Sequence, residues 1–451
     1  MSIRNKIRSL KLTYPKIIAL GFFLLIMLGT ILLVLPISSR NHESAGLVNA
    51  LFTATSATCV TGLVVFDTYA QWSIFGQIVI ILLIQIGGLG FMTIITMFSF
   101  FLGRRIGLTE RTLLRDSINT QYIGGIIRLT KKILIGTLII EGTGALLLST
   151  RFIPKLGFAA GLYNSIFLSI SAFCNAGFDL MGRYAQYSSL TTVANDYIIN
   201  LTVMALIVIG GIGFFVWDDI SKNKFHFKKY QLHTKIVLSV TSILILASTV
   251  LFFIFEYNNT ISDMNFFEKI LASFFSSITP RTAGFNTVDT DALTPASKLL
   301  TIMLMFIGGS PGSTAGGVKT TTIAVVLISV WANLRNKSGL NVFNRRLDTE
   351  ALSRATSVLV INLVSILTIQ LIITAIQPEL GLTNIIFEVF SAIGTVGMTT
   401  GITRDLATIS KLLIIFLMYI GRVGSLSFAM LFTERKKKES VQMPQEKINI
   451  G

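Results

Sequence analysis

The chain carries SATCVTGL at residues 56–63, and three later stretches resemble it: SAFCNAGF at 171–178, SITPRTAGF at 277–285 and SAIGTVGM at 391–398. Each opens on serine and closes on a glycine followed by a large apolar residue. The glycines are Gly62, Gly177, Gly284 and Gly397, separated by 115, 107 and 113 residues. A second motif trails each one: QIGGLG from Gln85, VIGGIG from Val208, FIGGSPG from Phe306 and YIGRVG from Tyr419. Its first glycines (Gly87, Gly210, Gly308, Gly421) follow after 25, 33, 24 and 24 residues. A single such octapeptide would mean little, because small residues are common wherever membrane helices touch. Four of them, each in step with a second motif, mark an internal fourfold repeat.

The flanking sequence says what kind of repeat. Segments 46–63, 161–178, 265–285 and 383–398 are apolar but too short to cross a bilayer, which suits re-entrant half-helices. Between them, longer apolar runs begin near Ile17, Ile74, Ile133, Tyr197, Ile236, Ser297, Val358 and Leu412. The pattern predicts an all-α polytopic membrane protein with eight transmembrane helices and four half-helices. Four pseudo-symmetric helix–re-entrant loop–helix units, over 1–105, 106–222, 223–335 and 336–433, would surround a central pore, with a charged tail over 434–451. Composition agrees, since only 13% of residues are charged, against roughly 25% in a soluble domain. The first run follows Arg4, Lys6, Arg8, Lys11 and Lys16, as a signal peptide would. It is too long and lacks a small-residue cleavage site, so a retained helix is expected.

Charge sets the expected topology. The amino terminus, stretches 103–132, 218–235 and 335–354, and the tail from Arg435 hold 27 of the 38 basic residues. By the positive-inside bias both termini should be cytoplasmic, in a multi-pass plasma-membrane protein. The net charge of +16 then reflects topology and contact with anionic lipid, not nucleic acid. Cys59 and Cys174 are too few for a disulfide framework, and neither they nor His42, His226 and His233 show metal-ligand spacing. No paired acids, nucleophile with base, or metal cluster suggests an enzyme.

Four half-helices descending from the outer face would turn their carboxyl ends, and the partial negative charge there, toward one axis. A glycine just past each can turn its neighbours' carbonyls inward. A ring of carbonyl dipoles can replace the hydration shell of a monovalent cation. The expected ion-binding residues are Val60, Thr61 and Gly62; Asn175, Ala176 and Gly177; Thr282, Ala283 and Gly284; and Thr395, Val396 and Gly397. With one glycine per repeat and no TVGYG, few ion sites in series and a less strict selectivity are expected. Glycines that merely pack helices remain the alternative. Arg281, near the third loop, is either an ion-repelling charge or the partner of backbone or an acid such as Asp289.

The sixth span is interrupted by GGSPGSTAGGVKTTT over 308–322, which cannot be a continuous helix. A flexible segment at that depth could obstruct the path below the carbonyl ring. Lys319 falls at its end, and Arg422 sits at the equivalent repeat position of the eighth span. An unpaired charge there is costly, so Arg422 is expected to hydrogen-bond carbonyls or hydroxyls of this loop. The expected gate residues are Gly308, Gly309, Gly312, Gly316, Gly317, Lys319 and Arg422; a structural lock without gating is the alternative. The loop nearly spells a phosphate-binding P-loop, but Val318 separates glycine from lysine, and IGGLG lacks a βαβ context. Glu141, outside the repeated loops, is expected to be structurally paired.

On the four glycine loops, GGSPGSTAGGVKTTT and IGRVG, the sequence resembles the Trk/Ktr/HKT superfamily of potassium and sodium transporters, most closely a Ktr-type (KtrB-like) membrane-spanning subunit. The resemblance covers essentially the whole chain. It implies a filter at Gly62, Gly177, Gly284 and Gly397, a gate over 308–322 and a latch at Arg422. It also implies a homodimer, one pore per protomer, on a cytosolic nucleotide-binding (RCK-type) regulatory ring, with basic loops near Arg104, Lys228 and Arg345 as contacts. K+, or Na+, would be the transported ion, with no cofactor bound by this chain. A gated passive potassium pathway is the leading reading. A sodium-dependent or sodium-transporting coupled symporter on the same fold is the alternative, against which no chain of intramembrane acids or histidines appears.

Overall fold

A computed structural model describes residues 14–90, 93, 126–224, 226–336 and 339–429. The first basic cluster up to Lys11, the stretch around Arg104 and the charged tail lie outside the described residues. Nearly every described element is helical. Four helices are long and apolar enough to cross a membrane: α1 (Tyr14–Val34), α4 (Ile126–Leu156), α8 (Leu232–Glu256) and α12 (Thr349–Ile376). Each opens one of the four expected repeats. Their outward faces are leucine, isoleucine and valine, for example Leu24, Leu138, Ile243 and Leu371, all exposed as a lipid-facing surface requires.

Each long helix is followed by a shorter apolar one: α2 (Leu47–Cys59), α5 (Phe158–Cys174), α9 (Phe266–Ile278) and α13 (Leu382–Gly394). They are 13, 17, 13 and 13 residues long, and at 1.5 Å per residue a 13-residue helix covers only about 20 Å. These are the expected half-helices. The repeats close through α3 (Ile74–Leu89), the pair α6 (Tyr197–Gly211) and α7 (Phe214–Asn223), the pair α10 (Pro295–Phe306) and α11 (Thr320–Leu334), and α14 (Thr408–Val423).

The fourth expected span is not straight. α6 and α7 meet at 95°, because Gly213 at the break has φ +96. This position is the last glycine of the second motif, and its counterparts Gly90, Gly312 and Gly424 also have positive φ (+81, +66 and +93). A residue in that region cannot continue a right-handed helix, so the motif ends the helix it sits on. In the third repeat the chain runs without helix from Ile307 to Lys319 before resuming as α11.

The motif's first glycine has a separate duty. A Cβ at Gly87, Gly210 or Gly421 would collide with the carbonyl of Thr58, Phe173 or Ile393 respectively. Each of those residues lies four before its repeat's loop glycine, at the end of a half-helix. Glycine thus lets α3, α6 and α14 lie backbone to backbone against α2, α5 and α13. In a bilayer such close packing, more than apolar burial, holds helices together.

One core cluster joins repeats one and two and reaches repeat three through Leu271, Phe275 and Phe285. A second joins repeat four to repeat one, through Phe52, Leu63, Val389 and Ile414. A third joins α10 to α13 through Met305 and Phe387. The four units therefore close a ring. A two-stranded hairpin, β1 (Asn341–Val342) with β2 (Arg345–Arg346), precedes α12.

Candidate ion pathway

Past the end of each half-helix the chain turns sharply. Val60, Asn175, Thr282 and Thr395 all have left-handed backbones, with φ of 58, 58, 77 and 49. Asparagine tolerates this, but β-branched valine and threonine adopt it only when the surroundings force them. Two residues on, Gly62, Gly177, Gly284 and Gly397 again have positive φ (92, 71, 81 and 92). The residues between, Thr61, Ala176, Ala283 and Val396, do not.

The amides of these loops point back into their own half-helices. The N–H groups of Thr61, Ala176 and Val396 donate to the carbonyls of Ser56, Ser171 and Ser391 at 2.8, 2.8 and 2.9 Å. The N–H groups of Gly62 and Gly397 donate to the hydroxyls of Ser56 and Ser391, both at 3.1 Å. This accounts for the serine that opens the motif: it gathers the loop's donors and leaves the loop's carbonyls to the other side. The third loop is one residue longer and uses Thr279 instead. Its carbonyl accepts from the amides of Ala283 and Gly284, at 3.0 and 3.3 Å, and its hydroxyl donates to the Phe285 carbonyl at 2.5 Å.

The four loops meet in cyclic order. A Cβ at Gly62 would lie 2.6 Å from the Ala176 oxygen, and one at Gly177 2.7 Å from the Ala283 oxygen. Cβ atoms at Gly284 and Gly397 would collide in the same way with the Val396 and Thr61 oxygens. Each glycine thus abuts the carbonyl preceding the next repeat's glycine, and the fourth returns to the first. All four border one cavity of about 330 Å³. Asp67, Asp179, Asp289 and Asp291 line it, with Arg404 their one cationic neighbour in the lining. Such a low-dielectric funnel of negative charge concentrates cations.

Beneath the ring lies the Ile307–Lys319 segment. Its ends pair as Ile307 with Val318, and the Gly308 amide donates to the Val318 carbonyl at 2.8 Å. Ser310 and Thr314 donate their amides to the carbonyls of Gly211 and Gly210, at 3.0 and 3.3 Å. Gly316 has no room for a Cβ against the Thr395 side chain, and one at Gly317 would lie tightly, at 3.0 Å, against the Gly394 oxygen, so the loop packs directly on the fourth loop of the ring. Gly309 packs on Ala315, and Gly312 accepts the Phe214 amide at 2.8 Å. Lys319 folds over its own loop, donating to the carbonyls of Ala315 and Gly316 at 2.7 and 3.2 Å. Arg422 reaches across from α14, donating to the carbonyls of Thr314 and Gly87 and, at 2.9 Å, of Gly88. A second cavity of about 390 Å³ lies on this side, bordered by Lys319, Arg422 and loop residues but by none of the twelve ring residues.

Arg281 lies where a pore charge could have been, yet it turns outward to the Thr241 hydroxyl at 3.3 Å. It makes no ion pair with Asp289, because the third loop points its backbone, not this side chain, inward. Glu141 is paired as expected, accepting from the Gln85 amide at 3.2 Å. Three groups escaped the sequence reading. Buried Glu388 accepts from the hydroxyls of Thr399 and Thr403 at 2.7 and 2.5 Å. Asp67 accepts the Tyr187 amide at 2.9 Å, tying the loops that follow the first two ring glycines. Thr314, in the third repeat, makes bonds to the second and the fourth. Only the motif serine had a signal that spacing could have found.

The family model described as TrkH, cation transport protein, matches residues 13–448. The chain is 42% identical to the Potassium/sodium uptake protein NtpJ of Enterococcus hirae, over all of both chains. It is 41% identical to the Ktr system potassium uptake protein B of Bacillus subtilis, over 99% of this chain and 98% of that one. The crystal structure of the potassium transporter TrkH from Vibrio parahaemolyticus shares its fold, with a TM-score of 0.72, 17% identity, and coverage of 92% of this chain and 84% of that one. With its glycine-loop ring and its full-length relatives, this chain belongs to the TrkH cation transport family.

Proposed function

We propose that the chain is the ion-translocating membrane subunit of a gated potassium uptake system. K+ passes down its electrochemical gradient through a filter at Val60–Gly62, Asn175–Gly177, Thr282–Gly284 and Thr395–Gly397. The observation that carries this reading is the closed ring in which each positive-φ glycine abuts the next repeat's carbonyl. Carbonyls freed of amide partners can coordinate a dehydrated monovalent cation. The acidic vestibule supplies it, and a membrane potential adds about 2.3 kcal/mol per charge per 100 mV.

The loop over 308–322 acts as the gate, with Gly308, Gly309, Gly312, Gly316 and Gly317 giving it the conformations it needs, and Lys319 and Arg422 holding it closed. Both termini are cytoplasmic. The protein works as a homodimer with a cytosolic nucleotide-binding regulatory ring. A reading in which sodium is carried or coupled has one specific support, the printed name of the Enterococcus relative, a potassium/sodium uptake protein. Cation uptake by a potassium-uptake-deficient cell, co-expressing a regulatory ring, tests both. Potassium uptake whose selectivity against sodium drops in Gly284→Ser supports the filter. Uptake of sodium alone overturns the potassium assignment, and uptake of neither ion overturns the reading.

A further inference from the structure

Thr314 is fully buried in the middle of the gate loop. Its carbonyl accepts from Arg422 of the fourth repeat, and its amide donates to Gly210 of the second. Its hydroxyl donates, at 3.1 Å, to the carbonyl of Phe173. Phe173 is the penultimate residue of α5, two places before Asn175, where the second filter strand begins. The Gly210 contact leaves no space between these groups: a Cβ there would lie 2.9 Å from the Thr314 hydroxyl. Ser171, whose counterparts Ser56 and Ser391 bond the loop glycine, has a hydroxyl with no partner. The second strand is therefore tethered differently from the first and fourth: it lacks the serine bond and gains one from the gate.

We propose that Thr314 couples the gate to the filter, its hydroxyl positioning the half-helix end from which the second filter strand departs. Release of the loop then loosens that strand and not the first. The coupling rests on the filter-and-gate reading above, and it is reciprocal: an ion held by the second strand favours the closed loop by the factor with which the closed loop favours the ion. Thr314 is a positioning residue and touches no ion itself.

The chain carries a built-in probe. Its two cysteines, Cys59 and Cys174, lie three residues before Gly62 and Gly177, at equivalent places in repeats one and two. Both are free and buried. The experiment compares maleimide alkylation of Cys174 with that of Cys59 in the purified full-length protein, with and without potassium. Thr314→Val, close in shape, removes the hydroxyl, and Thr314→Ser restores it. The expected result for Thr314→Val is a Cys174-to-Cys59 rate ratio raised about fivefold or more. Potassium should slow Cys174 in the wild type and in Thr314→Ser, and less so in Thr314→Val. An unchanged ratio overturns the proposal. So does a raised ratio with undiminished protection by potassium, which is what a merely structural bond would give. Potassium transport by the same preparations separates the two failures. Transport with an unmoved ratio sinks only the coupling, and a moved ratio without transport sinks the transport reading.

Discussion

The guanidinium of Arg422 donates through Nη1 to the carbonyl oxygen of Thr314, 108 residues earlier in the chain, and through Nη2 to Gly87 and Gly88 of the first repeat. One side chain therefore joins the first repeat, the third-repeat loop and the fourth. It also accounts for how a buried charge is tolerated: three carbonyls, two from the end of α3 and one from the loop, satisfy it, and the Gly87 carbonyl accepts the Gly90 amide as well.

Lysine cannot replace this fork, because an ammonium is a point donor on a thinner stem. Arg422→Lys should keep the charge but lose at least one of the three carbonyls, weakening closure by about 1 kcal/mol, or roughly fivefold in basal open population. Rubidium flux into proteoliposomes without a regulatory ring should rise by that factor. A flux equal to wild type, in protein that melts normally, would remove Arg422 from the gate.

The ring's glycines and the half-helix caps test the same backbone conformation in different surroundings. Gly157, at the start of α5, has φ +81 with open space around it. Gly157→Ala should cost only the backbone strain of its positive φ with ψ 166, about 1–3 kcal/mol in stability, and leave ion flux intact. Gly177 has a similar φ of +71, but a Cβ would lie 2.7 Å from the Ala283 oxygen. Gly177→Ala should therefore displace a ring carbonyl and cut potassium uptake about tenfold or more, a barrier rise of at least 1.4 kcal/mol. Equal uptake by the two variants would mean that the ring does not carry the ion.

The contrast shows what the sequence exposed and what it hid. The repeat, its half-helices and the break in the sixth span were legible because apolar length and glycine spacing are one-dimensional signals. The serine's duty at Ser56 and Ser391 was written in the same spacing. The cyclic order of the ring was not, since it depends on which repeat lies beside which. Nor was the 95° bend at Gly213, because its IGGIG motif differs little from the IGGLG at the end of α3. Of the two readings left open for Arg281, pairing away from the ring is the one seen, but its partner was not legible: Thr241 is 40 residues away on another helix, and a hydroxyl leaves no charge pattern to follow.

Glu388 carries a prediction that no motif would have raised. Its carboxylate, on α13, accepts two hydroxyls, from Thr399 and Thr403, just past the fourth loop of the ring. Glu388→Ala would leave the Thr399 hydroxyl without its acceptor and Thr403 with only the Thr399 oxygen at 3.0 Å, at about 1–3 kcal/mol for the unsatisfied group, and should lower the melting temperature of the purified protein by several degrees. Glu388→Gln keeps one carbonyl acceptor and should lose less. If the two variants melt alike, the hydroxyl bonds do not hold the loop.

Asp179 makes the outer mouth sensitive to pH. Burial at the cavity wall pushes its carboxyl up to about 7, and the nearby charge of Asp67 adds to the shift, while the Met181 amide and the Ser189 hydroxyl oppose it. The Met181 amide donates to it at 2.8 Å. The group is therefore neutral below pH 7 and negative above it, in a cavity bordered by all four ring glycines. The sign for folding is that the native state holds a proton which the unfolded chain, near 3.8, has released. This contribution to stability thus falls as pH rises from about 4 to about 7 and is level above that. For transport the sign is opposite, since the added negative charge attracts cations. The external potassium concentration giving half-maximal uptake should fall by a few-fold between pH 6 and pH 8, and high ionic strength should damp the change. Asp179→Asn should flatten the profile at the weaker, low-pH affinity. A profile that persists in Asp179→Asn would assign the titration to another group of the mouth.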